Sequence, residues 1–86
     1  MDPRRLIQLS VDAADYLIVE HALAEADKDG VSQDQIEAVL AFGVVQRREP
    51  RQGGAVRYVL ARKDVTVVVE VTGEWIVVIT VWREKE

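Results

Sequence analysis

The clearest hydrophobic pattern lies in the last third of the chain. Val65 to Thr72 and Trp75 to Trp82 are two runs dominated by β-branched and aromatic residues, a composition that suits strands. Only Gly73 and Glu74 separate them. That is a two-residue hairpin loop in which glycine accepts positive φ. A third run, Ala55 to Arg62, reaches Val65 through Lys63 and Asp64, a poorer match to the favoured hairpin turns. The loop at Gly73 sets Thr72 opposite Trp75, Val69 opposite Val78 and Val67 opposite Thr80. The loop at Lys63 sets Arg62 opposite Val65, Leu60 opposite Val67 and Tyr58 opposite Val69.

Alternation along these strands sorts their side chains onto two faces. Val56, Tyr58, Leu60, Val65, Val67, Val69, Val71, Ile76, Val78, Thr80 and Trp82 form the predicted core face, to be covered by helices. The other face takes Ala55, Arg57, Val59, Ala61, Thr66, Val68, Glu70, Thr72, Trp75, Val77, Ile79 and Val81. It is too apolar to face water. Val59, Val68, Trp75, Val77 and Ile79 make a contiguous patch on it that needs a cover: the N-terminal arm, a second copy, or a partner protein.

Upstream the period changes. Asp12 to Lys28 reads as a helix with Val19, Ala22, Leu23 and Ala26 on one face. Its first turn is acidic, and Gly30 follows its end. Ser32 and Gln35 form a capping box that opens a second helix, flanked by Val31 and Ile36 as a hydrophobic staple. Ile36, Val39 and Leu40 are its buried stripe, and Gly43 is its stop signal. The expected organisation is one α+β domain over residues 1–86: an arm or short strand at 1–11, a helical half at 12–43, and a sheet at 44–82. Two helices should lie on one face of an antiparallel sheet of three or four strands.

Composition refines this picture in three ways. The chain has no cysteine, which removes disulfides, thiolate nucleophiles and cysteine zinc sites. No run is long and apolar enough for a signal peptide or a membrane span, so a cytoplasmic protein with no membrane partner is expected. The net charge of -4 conceals a split. Asp12 to Glu37 holds eight acidic residues and one lysine, whereas Gly43 to Lys63 holds five arginines and one lysine against Glu49. The split allows two solvated surfaces that attract each other, or a basic strip that receives an anion.

Few residues are candidates for chemistry. His21 is the only histidine, the side chain best placed for proton transfer near neutrality. It projects away from the predicted buried stripe. Arg57 and Glu70 face each other in the register above, either as a cross-strand ion pair or as an arginine that clamps a phosphate. Thr80 is the one hydroxyl in an apolar strand end. Glu25, Asp27 and Asp29 before Gly30 resemble the start of a calcium loop, but the position of the bidentate glutamate falls on Ile36. No metal or other cofactor is implied.

Several short motifs carry a family resemblance. They are His21-Ala22-Leu23, Gly30-Val31-Ser32 with Ile36, Val39 and Leu40 behind, and the ending Ile76 to Trp82. Together they resemble a small bacterial domain family that opens with a His-Ala helix and is related to RelE-type and BrnT-type toxins. The resemblance spans Tyr16 to Trp82. It implies a RelE/ParE-toxin-like fold and metal-independent RNA cleavage. His21 would move the proton, Arg57 or Arg62 would stabilise phosphate charge, and Thr80 would match the family threonine. Arg47, Arg48, Arg51, Arg57, Arg62 and Lys63 would attract RNA. Glu25 and Asp29 stand where the family commonly carries arginines, which opposes RNA binding. The sequence thus supports two functions. One is a non-catalytic interaction domain that forms a homodimer, or docks a protein partner, through its sheet. The other is a ribonuclease or toxin relative.

Overall fold

The computed structural model describes residues 3–13, 15–73 and 75–84. The elements run α1 (Pro3–Asp12), β1 (Leu17–Ile18), α2 (Glu20–Lys28), α3 (Gln33–Phe42), β2 (Val44–Pro50), β3 (Val56–Arg62), β4 (Val65–Thr72) and β5 (Trp75–Arg83), with a 3-10 turn at Gln52–Gly54. The fold is α+β, with three α-helices among the described residues rather than two. Its single sheet has five strands in the order β1-β5-β4-β3-β2. It is mixed, because β1 lies parallel to β5, with Leu17 beside Val77 and Ile18 beside Val78.

The expected arm at 1–11 is α1. Its Ile7 is fully buried, with Leu6 and Val11 packed against the same core. The helix is held by α3: Arg4 Nη1 donates to the Leu40 carbonyl, and Gln8 Nε2 to that of Ala41 at 2.8 Å. Those carbonyls sit in the last turn of α3 and lack intrahelical partners, so α1 serves as a cap supplied from elsewhere in the chain. The helix expected from Asp12 to Lys28 begins only at Glu20. Tyr16 to Val19 is extended instead, since Val19 N–H bonds the Val78 carbonyl at 3.1 Å. Ala22 and Ala26 are buried as expected, whereas Val19 and Leu23 are exposed.

The ends of α2 and α3 follow local sequence. Val31 N–H bonds the Ala26 carbonyl at 2.8 Å and Gly30 N–H bonds that of Asp27 at 3.2 Å. The Val31 bond requires the left-handed conformation that Gly30 adopts, φ 70°. The capping box at Ser32 and Gln35 is complete in both directions. Gly43 ends α3 for a different reason. Its φ is ordinary, but a Cβ there would lie 2.5 Å from the Val39 carbonyl oxygen.

The two hairpins pair as the β-branched runs demand. Arg62 lies opposite Val65, Leu60 opposite Val67, Tyr58 opposite Val69 and Thr72 opposite Trp75. Lys63 takes positive φ at 58° and Gly73 at 54°. Glu74, the second residue of the predicted Gly73 loop, lies outside the described residues. Beyond Val78 the alternation breaks. Val69 pairs with Val78 but Val68 pairs with Thr80, so Ile79 is an extra residue on β5. A β-bulge lets two successive side chains leave by one side. Val67 therefore faces Val81 rather than Thr80, and Val81 is fully buried. Thr80 and Trp82, expected in the core, belong to the opposite face, and Val81 takes their place inside.

The core fills the space between the helices and one sheet face. Ala22, Ala26, Ile36, Val39 and Leu40 meet Leu60, Val67, Val69, Ile76, Val78 and Val81. Each fully buried aliphatic side chain contributes about 1.5–3 kcal/mol relative to exposure. At the end of β5, Arg83 ties the layers together. Its guanidinium donates to the carbonyls of Asp29 (3.2 Å) and Gly30 (3.0 Å), to Gln35 Oε1 (3.3 Å) and to Asp64 Oδ2 (2.8 Å).

Candidate functional site

The sheet has a helix-covered face and a second face against which none of the three helices is packed. The second face carries Arg57, Val59 and Ala61 on β3, Thr66, Val68, Glu70 and Thr72 on β4, and Trp75, Val77, Ile79, Thr80 and Trp82 on β5. That assignment follows from the pairings of the intervening core residues. Val59, Val68, Trp75, Val77 and Ile79, the patch read from the sequence, all lie on this face. Trp75 is 57% exposed. Leu17, 51% exposed, extends the patch along the β1 edge beside Val77. Sequence reasoning missed Leu17 by placing it in a helix. The run Tyr16 to Val19, aromatic then aliphatic, was the available signal.

The face is not purely apolar. Arg57 Nε donates to Glu70 Oε1 at 3.0 Å, the cross-strand pair anticipated from the register. Arg47 and Glu49 pair at 3.1 Å on the neighbouring edge strand, with Glu49 directly opposite Arg57. Opposite charges thus alternate across β2, β3 and β4. Near these residues the β2–β3 connection borders an open depression of about 760 Å³. A smaller one, about 190 Å³, lies between α3 and the β3–β4 turn and is lined by Asp34, Gln35, Arg62, Lys63 and Asp64.

The residues proposed for catalysis are distributed as follows. His21 lies in the first turn of α2, in the helix layer, with its side chain 74% exposed and its Nε2 3.4 Å from Glu25 Oε1. It lines neither depression. Arg57 and Thr80 share the second face, because the bulge at Ile79 turns Thr80 onto it. They are two strands and two residues apart, roughly 12 Å by the spacings of a regular sheet. Arg62, the alternative to Arg57, packs over the Phe42 ring at 5.7 Å, at the C-terminal end of α3. Arg47, Arg48, Arg51, Arg57, Arg62 and Lys63 belong to the β2–β3 half of the molecule but do not share one face.

One titratable group stands out. Tyr16, just before β1, donates its hydroxyl to Glu37 Oε2 on α3. Burial raises its pKa above 10.0, and the bond to Glu37 adds to the rise. Among the described residues no group of three His, Asp or Glu side chains is placed to hold a metal ion. Nor is any helix of the described residues long and apolar enough to cross a membrane.

Comparison with known proteins places this architecture in a family without assigning it an activity. No curated protein and no solved structure matches the chain. A family described as a domain of unknown function, DUF4258, matches residues 18–83, from β1 through β5. That stretch is well over half of the chain and holds α2, α3 and all of the sheet but Leu17: the chain belongs to the DUF4258 family.

Proposed function

We propose that this domain is a small non-catalytic interaction module that self-associates through the second face of its sheet. The observation that carries this reading is the position of α1. It packs on α3, in the other layer, and so leaves the half-buried Val68, Val77 and Ile79 without a helix over them. The four long strands, β2 to β5, are seven to nine residues each; at about 4.8 Å between strands they give a face of roughly 500 Å² in projection, against ~800 Å² per partner of a standard interface. The face also carries both charge signs in equal number, Arg47 and Arg57 against Glu49 and Glu70. A two-fold axis can then set the exposed Arg47 against the partner copy's Glu49.

The test is solution mass across concentration by sedimentation equilibrium. The wild type should reach twice the chain mass at high micromolar concentration, and Val68→Glu should remain a monomer with an unchanged circular dichroism spectrum. A strictly monomeric wild type would remove the reading.

A second reading, a RelE-like or BrnT-like ribonuclease, draws support from the bulge at Ile79, which sets Thr80 on the same face as Arg57. Against it stand the separation of the two and the solvent-facing His21 beside Glu25. Incubation with mixed RNA decides. Cleavage that is lost in both His21→Ala and Arg57→Ala supports the enzyme, and intact RNA with the wild type excludes it.

A further inference from the structure

The open depression at the β2–β3 connection has features that self-association does not use. Arg51, Gln52, Gly53, Arg57, Glu70 and Thr72 line it. The Arg57 guanidinium is half-buried and oriented by a single bond, from Nε to Glu70. Among the described residues its two terminal nitrogens have no partner. A guanidinium held by its Nε edge presents the Nη pair as a planar fork, the geometry that matches two oxygens of one oxyanion. The Arg51 side chain, at the rim of the same depression, also has no partner among the described residues.

The loop between them shapes the rim: Gln52 opens the 3-10 turn, and Gly53 and Gly54 follow at φ 75° and 82°. Glu70 supplies the complementary function. Among the described residues only its Oε1 is engaged, so Oε2, with Thr72 also in the lining, can accept from a hydroxyl donor. The space, about 760 Å³, is open to solvent on one side.

We infer that this depression binds a phosphorylated ribonucleoside, its phosphate on the Arg57 fork beside Arg51, its ribose hydroxyls on Glu70. The inference goes beyond the self-association reading and needs no cleavage chemistry. A free nucleotide and the 5′-phosphorylated end of an RNA chain share this chemistry.

The test is an amide chemical-shift titration of the full chain with inorganic phosphate, adenosine, adenosine 5′-monophosphate and a 5′-phosphorylated ribodinucleotide. Adenosine monophosphate should shift the amides of residues 51–57, 70 and 72, with a dissociation constant of about 1 mM in so open a site. Inorganic phosphate should shift the loop amides more weakly, and adenosine none of them. Arg57→Lys keeps the charge and loses the fork, so affinity should fall about ten-fold. Tighter binding of the dinucleotide marks an RNA end as the ligand, and equal binding marks a free nucleotide. Solution mass measured on the same samples separates this outcome from the oligomer question. If no amide of the loop moves, or if Arg57→Lys binds as tightly as the wild type, the site is refuted. Should Arg57→Lys fail to fold, Arg51→Gln and Thr72→Val carry the same expectation of weakened binding.

Discussion

Deleting Ile79 tests the register that puts Thr80 and Arg57 on one face. With the bulge in place, Val78 points inward, Ile79 and Thr80 outward, and Val81 inward. Removing Ile79 leaves Val78 in, Thr80 out and Val81 in, a regular ladder with the sidedness unchanged. The loss is one half-buried isoleucine side chain, about 1–1.5 kcal/mol, offset by about 0.5–1 kcal/mol from a restored ladder bond. The net cost should stay near 1 kcal/mol, or about 5 °C in Tm for a domain of this size. Had β5 kept plain alternation, the same deletion would invert everything after Val78 and expel buried side chains. Deletion of Val67 from β4 is the contrast. That strand has no extra residue to absorb the change, so a register slip must expose several fully buried valines at about 1.5–3 kcal/mol each. The sum is comparable with the whole stability of a small domain, about 5–10 kcal/mol. Thermal unfolding followed by circular dichroism and tryptophan emission separates the two cases. A folded ΔIle79 beside an unfolded ΔVal67 is expected, and a ΔIle79 chain as damaged as ΔVal67 would refute the assignment of the bulge.

Two further outcomes follow from side-chain geometry. Arg83→Met keeps the aliphatic stem but removes four donated bonds. The ion pair to half-exposed Asp64 is screened and adds little, so the loss should total roughly 2 kcal/mol, mainly from the two carbonyls and Gln35. A urea midpoint within error of the wild type would show that Arg83 does not clamp the layers. Tyr16, by its raised pKa, links stability to alkaline pH. A group whose folded-state pKa exceeds its unfolded value stabilises fully below the unfolded value and ceases to do so as pH rises through the folded one. Stability should therefore fall less steeply above pH 10.0 in Tyr16→Phe than in the wild type, and equal slopes in denaturant titrations would contradict it.

The elements that were legible in the sequence are those fixed by neighbours in the chain. Gly73 and the valine runs specify their hairpin, and Ser32 with Gln35 specifies the start of α3, because turn and cap chemistry act over two or three residues. α1 was not legible: Pro3 to Asp12 is short, and its hold on α3 comes through Arg4 and Gln8, far away in sequence. β1 is two residues long and is strand only by virtue of β5. The bulge was hidden because both faces of β5 are apolar. A slip from Ile79 to Thr80 changes which hydrophobic residue is inside without placing a charge there. For the site, the Arg57–Glu70 pair was readable from register alone, whereas the open fork of Arg57 and the neighbouring depression depend on how the β2–β3 loop turns.

The pairing of β1 with β5 has a bearing on assembly in time. Leu17 emerges early and waits for Val77, so a large loop must close before that contact forms. Contacts of such span slow the search for the native state. The β3–β4–β5 meander can zip locally, and the N-terminal segment can join only once the final strand exists. Truncations that end before β5 should therefore strand the first third of the chain without a docking site, leaving it prey to proteases during synthesis.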